Sequence, residues 1–592
     1  MTQSQTTRSR VLRRVGAAIA ATIAVSTVAS TGSQAASNVG AAKSGGEVKV
    51  AIFDTFPGFC VGNNPANSSL MATRTIYEGL VEKTRGGDYI GLLAKTMEPS
   101  ADLKTWTFTL RPGITFSDGQ AFNADAVVEN LNFATGRMFA GAYTKVGAAA
   151  ATAAYGYTLG TAIAFDANIV AIDKIDDLTV KFTLNKAQND FPGTLYASGR
   201  GFMRGKAQLN DKTKCANEPI GTGPFKMVSW DVNQLVVAKN PTYWRTDPNN
   251  PSAKLPYLDK ITFTNVKEGS QRAAALRKKV YDAGMFAGGT EATFIKDLRQ
   301  RKSVVTEFKS PNEYYPSLWM NQSKVGSPFS SENARHAVAT CIDRANYAKV
   351  RTRGESVVAK SLVGPTNPMY TTNGFDKFDV AASKAFVAAW QAEPGNAGKT
   401  LEFTTPADVS SSSQANVKFL QQQWEKCGIK ANMIVEESGP IIAKTFNSAK
   451  TGGEQNGYDA ISILLYEGTD VTFNLPFTVS NMFPTGTTNP IAPFFTGSLG
   501  ALLSLNHHKD TVADQFFYDG QGSSTKVAAK TKYQAGTAYL QSKAFSTSIV
   551  HNYYNLFAGK TLGGIGTLQI EKGKSQRLVT NWGIDWTGVY KK

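Results

Sequence analysis

The chain has 592 residues, 42% of them hydrophobic and 18% charged. At roughly 150 residues per domain that means two to four structural units of a globular protein, and four cysteines exclude a disulfide-dense miniature scaffold. The net charge of +17 is spread along the chain, with no basic run of about five residues and no internal apolar run long enough to cross a bilayer, so neither nucleic acid nor a polytopic membrane fold is expected.

The N-terminus carries Arg8, Arg10, Arg13 and Arg14, then the uncharged stretch Val15 to Val28, then small residues up to Ala36. This order predicts a secretory signal peptide over residues 1–35, cleaved near Ala35, followed by an Ala/Ser/Gly linker at 36–46. The apolar part is about 14 residues, short of the roughly 20 that span a membrane. Cleavage leaves a charge of about +13. The first cysteine, Cys60, lies well inside the mature chain, so no lipobox cysteine is present. The expected location is the periplasm or the outer face of the cell envelope.

An oxidising compartment changes the reading of the cysteines. Four of them permit three connectivities. Cys60 and Cys215 sit in polar loops of the first half, and a Cys60–Cys215 bridge is expected. Cys341 and Cys427 sit on apolar faces of predicted helices and either pair or stay as buried thiols. No Cys/His spacing suits a metal. His507 and His508 are adjacent, which on a strand turns their side chains to opposite faces, and no third ligand lies nearby in sequence.

In chain order, Glu47 to Phe53 alternates as a strand, and Met71 to Val81 reads as a helix. Trp106, Phe108 and Leu110 alternate with Thr107 and Thr109 in a strand that ends at the turn Arg111-Pro112-Gly113. Asn123 caps a helix carrying Val127, Val128 and Leu131. Residues 134–165 are Ala/Gly/Tyr-rich and read as a surface insertion. Strands resume at Leu178–Leu184, Phe225–Val228, Gln234–Lys239 and Lys260–Val266, and a helix covers about 269–280. An aromatic strand at 313–322 opens the second half. Ser330 or Ser331 then caps a helix with Ala334, Val338, Cys341 and Ile342 on one face. Val417, Leu420, Trp424 and Cys427 form a second stripe, stopped by Gly428. Lys430 to Glu436 and Tyr458 to Tyr466 are strands, and Thr531–Ala544 is the last long helix. Strands and helices alternate throughout, which gives a mixed α/β class with two large lobes.

Several stretches together resemble the peptide/nickel-type solute-binding proteins of ABC importers. They are Tyr77-Glu78-Gly79-Leu80-Val81, the run from Trp106 to Val127, Ile220-Gly221-Thr222-Gly223-Pro224-Phe225, and Asn240-Pro241-Thr242-Tyr243-Trp244. Leu258 to Phe263, Met320-Asn321 with Pro328-Phe329 and Ala334 to Ala337, Gly428-Ile429-Lys430 and Tyr458-Asp459-Ala460 follow in order. The resemblance covers roughly residues 47–590. It implies two lobes joined by crossing strands and closing on a ligand, a hinge motion that is a standing example for such proteins. The first lobe would comprise 47–308 with a subdomain at about 82–190, the second 312–545, and residues 546–592 would return to the first.

Most of the signature residues read as core and turns. Ligand contacts are expected from cleft-facing loops and crossover ends. In peptide-binding relatives an acid after a Gly-Trp holds the ligand's amino group. Here Tyr466 stands in place of the Trp, Thr469 where the acid is expected, and Glu467 and Asp470 flank it. Phe56 and Phe59, in the long loop Phe56 to Pro65, are candidates for an aromatic wall that stacks on a sugar ring or an apolar side chain. Asn67, Asn321, Tyr553 and Tyr554 complete the ligand-binding candidates. No catalytic residue, cofactor or metal is expected: no G-x-S-x-G or HExxH occurs. The resemblance implies a monomeric exported receptor that captures an oligopeptide or similar organic solute and delivers it to a membrane permease. An oligosaccharide or other non-peptide ligand is the alternative.

Overall fold

The computed structural model describes residues 42–60, 67–134, 168–197, 201–209, 211–289, 291–310, 314–445, 453–466, 471–480, 504–575, 578–580 and 583–592. Residues 1–41, with the expected signal peptide and most of the linker, lie outside them. So do nearly all of the 134–165 insertion and the loop from Val61 to Pro65.

The first lobe is organised by a seven-stranded sheet. Its order is Val305–Lys309, Tyr554–Gly559, Ala283–Ala287, Glu47–Ile52, Lys260–Asn265, Gln234–Lys239, Phe225–Trp230. Glu47–Ile52 runs parallel to both neighbours, and such a strand is buried on both faces. Val48, Val50, Ala51 and Ile52 are accordingly in the core. A four-stranded antiparallel sheet, Ala94–Pro99, Thr105–Leu110, Thr179–Leu184 and Ile169–Asp176, forms the subdomain. The alternation anticipated at Trp106 to Leu110 is present, with Trp106, Phe108 and Leu110 inward against Phe182 and Phe191.

The second lobe holds the antiparallel sheet Ala460–Tyr466, Tyr314–Met320, Ser546–Ser548 and the parallel pair Leu401–Asp408 with Ile429–Glu436. Ser331 caps the helix Glu332–Thr340, Ser410 caps Ser411–Lys426, and Gly428 follows the latter helix at φ 79°. That backbone conformation suits glycine at a helix end. The chain crosses between the lobes twice. Val305–Lys309 leads into Tyr314–Met320, and Ser546–Ser548 and Val550–His551 lead into Tyr554–Gly559. Ser310 and Tyr554 tie the two crossings together: Ser310 N donates to Tyr554 O at 2.9 Å, and Tyr554 N to Ser310 Oγ at 2.7 Å.

Three sequence signatures meet at one buried carboxylate. Glu78 accepts hydrogen bonds from Thr222 Oγ1 (3.1 Å), Tyr243 OH (2.7 Å) and Trp244 Nε1 (2.8 Å). A carboxylate taken out of water needs such donors. The segment Gly221 to Phe225 runs against residues 75–76, with Gly223 N donating to Ile76 O and Phe225 N to Thr75 O, both 2.9 Å. A Cβ at Gly221 would lie 2.1 Å from Ile76 O, which explains the glycine.

These same bonds correct the expected helix at Met71 to Val81. The helix is Asn67–Thr73, and Val81–Lys83 is a strand. The carbonyls of Thr75 and Ile76 serve the neighbouring segment instead of a continuing helix. The last long helix also starts earlier than expected, at Lys526, with Thr525 as its cap.

Both bridges are present: Cys60–Cys215 with a Cα separation of 4.6 Å, and Cys341–Cys427 with 6.4 Å. The first ties the loop that starts at Phe56 to the helix Lys212–Asn217. The second joins the residues that end the helices Glu332–Thr340 and Ser411–Lys426.

Candidate functional site: the cleft between the lobes

In open α/β sheets ligands bind beyond the carboxyl ends of the strands. The carboxyl ends of Glu47–Ile52, Lys260–Asn265 and Ala283–Ala287 carry one polar cluster of the first lobe. Asp54 Oδ2 accepts from Ser68 N (2.8 Å) and Ser68 Oγ (2.6 Å), and that hydroxyl in turn accepts from Phe53 N and Asp54 N, each at 3.1 Å. Arg272, fully buried, donates to Val266 O (2.6 Å) and Lys267 O (2.8 Å) and pairs with Glu291. Glu291 also accepts from Ala287 N at 2.8 Å. Burial raises the Asp54 carboxyl to about 6, against the opposing effect of its bonds with Ser68. It raises Glu291 as well, although the Arg272 guanidinium pulls the other way. Glu291 takes the direct pair with Arg272, and Asp54 feels that guanidinium only through its charge.

Opposite stands the carboxyl end of Leu401–Asp408. Asp408 accepts from Ser438 and from Ser410 N (2.9 Å), and these bonds, Ser438 first, hold its carboxyl below the usual range. Lys267, just beyond the strand Lys260–Asn265 of the first lobe, adds to that lowering. The crossings close one side. Gly288 N donates to Tyr553 O (2.7 Å), Asn552 bonds Ser356, and the Lys309 ammonium lies 3.6 Å from the centre of the Tyr553 ring. Arg299 of the first lobe makes paired bonds to Glu307 (2.6 and 2.7 Å) and to Glu355 of the second (2.8 and 2.9 Å).

Of the ligand-contact candidates, Tyr553 stands at this crossing. Phe56 and Phe59 do not form an exposed wall: both are 2% exposed and belong to the first core. Phe59 packs edge-on against Trp230, with centroids 5.4 Å apart, and its carbonyl accepts from Arg204 Nε and Gln208 Nε2. The Cys60–Cys215 bridge draws this loop inward rather than presenting it. Asn321 is buried too, with its amide donating to Glu454 O (3.0 Å) and its oxygen accepting from Ser323 N and Lys324 N, a local turn role. Tyr554 is a core residue of the first sheet. Asn67 opens its helix and Tyr466 closes its strand, but their side chains, and all of Glu467 and Asp470, lie outside the described residues.

Asp54 and Glu291 went unnoticed in the sequence because neither stands in a motif. The available signal was position, an acid two residues beyond a parallel strand. His507 and His508 are both buried, His508 Nε2 is paired with Thr478 O at 2.8 Å, and burial lowers His507 to about 4. Among the described residues no cluster of three or more His, Cys, Asp or Glu is placed to hold a metal.

The family model "Bacterial extracellular solute-binding proteins, family 5 Middle" matches residues 88–483. The chain belongs to this family. A family 5 relative, the glutathione-binding protein GsiB of Pectobacterium atrosepticum, is 27% identical over 428 residues, 70% of this chain and 73% of that one. The periplasmic binding protein DppA of Helicobacter pylori, solved with the peptide STSA, superposes with a TM-score of 0.70 at 20% identity, covering 93% of this chain and 98% of that one. AgaA of A. tumefacien R10, solved with agropinic acid, gives 0.71 at 19% identity over 92% and 99%. The two-lobed fold is therefore that of periplasmic binding proteins, and this family 5 chain is a solute-binding receptor.

Proposed function

We propose that the protein is an exported, monomeric receptor that captures a short peptide or peptide-like amino-acid conjugate between its lobes and hands it unaltered to an ABC permease. The observation that carries this reading is the family match together with a cleft whose strand ends bring two carboxylates to one guanidinium. Asp54 is the residue we assign to a ligand ammonium. Burial makes its charged form costlier than that of an ordinary aspartate, and a cation entering the cleft offsets that cost and gains a charge-assisted hydrogen bond. Glu467 and Asp470 are the second-lobe acids for the same role.

The relatives named for glutathione and the tetrapeptide complex support peptides as the first ligands to try. The oligosaccharide alternative rested on Phe56 and Phe59 and on the displaced acid at 467–470; the two aromatics are spent in the core. Ligand contacts to both lobes favour the closed arrangement, which is the form a permease would recognise. No nucleophile or metal is needed.

A thermal-shift screen with glutathione, Ser-Thr-Ser-Ala, Met-Leu and maltooligosaccharides tests the reading. A bound ligand raises the melting point in proportion to RT ln(1 + [L]/Kd). A shift with a peptide-like compound is expected, and stabilisation by the sugars alone would sink the peptide assignment.

A further inference from the structure

The loop 185–190 is built rigidly into the subdomain of the first lobe. Lys186 N donates to Asn168 Oδ1 (2.8 Å), Trp106 Nε1 to Gln188 O (3.2 Å), and Gln188 Nε2 to Thr194 Oγ1 (2.9 Å). Its outward groups go to the second lobe. Asn189 N donates to Gln521 O at 2.8 Å, and the Asn189 amide donates to Gly520 O at 2.9 Å and Ser523 O at 2.7 Å. Gly520 O and Gln521 O belong to the last turn of the helix Thr511–Gln521, and Ser523 O lies just beyond it. The turn keeps local donors, with Gly522 N on Tyr518 O at 2.9 Å and Ser523 N on Gly520 O at 3.2 Å, and Asn189 adds donors from the first lobe. The Lys186 ammonium lies 3.4 Å from the centre of the Tyr518 ring on that helix, a cation near the negative end of the helix dipole. Tyr533 OH reaches Asp190 Oδ2 at 3.4 Å.

We propose that Asn189 is a positioning residue that sets ligand affinity from outside the cleft, by capping the helix Thr511–Gln521 only when the lobes are closed. Separation of the lobes removes the Asn189 donors from all three carbonyls and leaves Gly520 O with its local partner Ser523 N. A cap that exists in one arrangement multiplies the population of that arrangement, and apparent affinity scales with the competent fraction. The affinity consequence rests on the receptor reading above, whereas the latch itself needs no ligand.

The test uses the full mature chain with spin labels at Lys95→Cys and Lys530→Cys, exposed positions on the first and second lobes. Pulsed dipolar spectroscopy without ligand is expected to show a short-distance population. Asn189→Ala, which removes two of the three hydrogen bonds, lowers the closed-to-open ratio by about tenfold. Asn189→Asp, which sets a carboxylate against carbonyl oxygens, lowers it at least as far. Lys526→Met removes only the exposed ion pair with Asp88 on the same face and changes the ratio by less than about twofold.

A purely structural asparagine would alter the melting point and leave the distances unmoved. That result overturns the proposal, as does a parent protein without the short distance, or an equal effect from Lys526→Met. With glutathione as probe, Kd rises about tenfold in Asn189→Ala. If glutathione does not bind the parent while the distances shift as expected, the latch stands and the glutathione assignment alone fails.

Discussion

The first lobe holds two carboxylate neighbourhoods, and they solve the same problem differently. Glu78 is buried among three donors from two separate segments, and each of its bonds goes to a side chain that sequence signatures fix in type. Asp54 sits at a strand end, bonded to Ser68, near a guanidinium that already serves Glu291. The first is a closed account of hydrogen bonds and holds the lobe together. The second has charge left to offer. Residues that make a family recognisable are thus the joinery of the fold, while Asp54, the residue proposed for a ligand, sits where no motif marks it.

The largest test of this contrast is Glu78→Ala. It strands the Thr222, Tyr243 and Trp244 donors in the interior, and a loss of about 3–5 kcal/mol in urea unfolding is expected. A near-neutral result would show that the signatures do not depend on their shared carboxylate. Replacing Cys60 and Cys215 together by serine opens a loop with a sequence separation of 155. It should cost about 2–4 kcal/mol in the same assay, by freeing the unfolded chain.

Asp54→Asn should act in the opposite direction. Burial pushes its carboxyl up to about 6 in the fold, from the ordinary 3.8. Between those values the native state holds more protons than the unfolded state, so stability falls as pH rises from about 4 to about 6. The asparagine variant escapes that fall. It should be more stable by about 1–3 kcal/mol at pH 7.5 and equal to the parent near pH 4, while binding a cationic ligand more weakly. Parallel stability curves with a constant offset would remove Asp54 from the titrating site. Arg299→Met should have the smallest effect, under about 1 kcal/mol, because its cross-lobe pair is partly exposed to water. Urea unfolding in low and high salt measures it, and a much larger loss would make the Glu355 contact a structural hinge pin.

Much of this architecture was legible in the sequence. Period-two alternation at Trp106 to Leu110, a serine cap at 330 or 331, which is Ser331, and the stop at Gly428 are local features, and each acts as local physics predicts. The Cys60–Cys215 bridge was legible from two polar loops of one half, whereas the apolar helix faces of Cys341 and Cys427 left a bridge and two buried thiols equally open, and the bridge is present. The helix at Met71 to Val81 was misjudged because its carbonyls are claimed by a segment some 150 residues away, which no local pattern records. The site was harder to read. An aromatic pair in a polar loop looks exposed until the bridge at Cys60 folds it inward, and Asp54 gains its meaning only from Arg272 and Glu291, more than 200 residues later.

The position of Tyr554–Gly559 between Val305–Lys309 and Ala283–Ala287 has a temporal consequence. On the ribosome the seven-stranded sheet lacks an interior member until synthesis is nearly finished, so the facing edges of Ala283–Ala287 and Val305–Lys309 stay unpaired while all of the intervening chain is made. Such late, long-range pairing slows folding and keeps the nascent polypeptide open to whatever machinery handles it first.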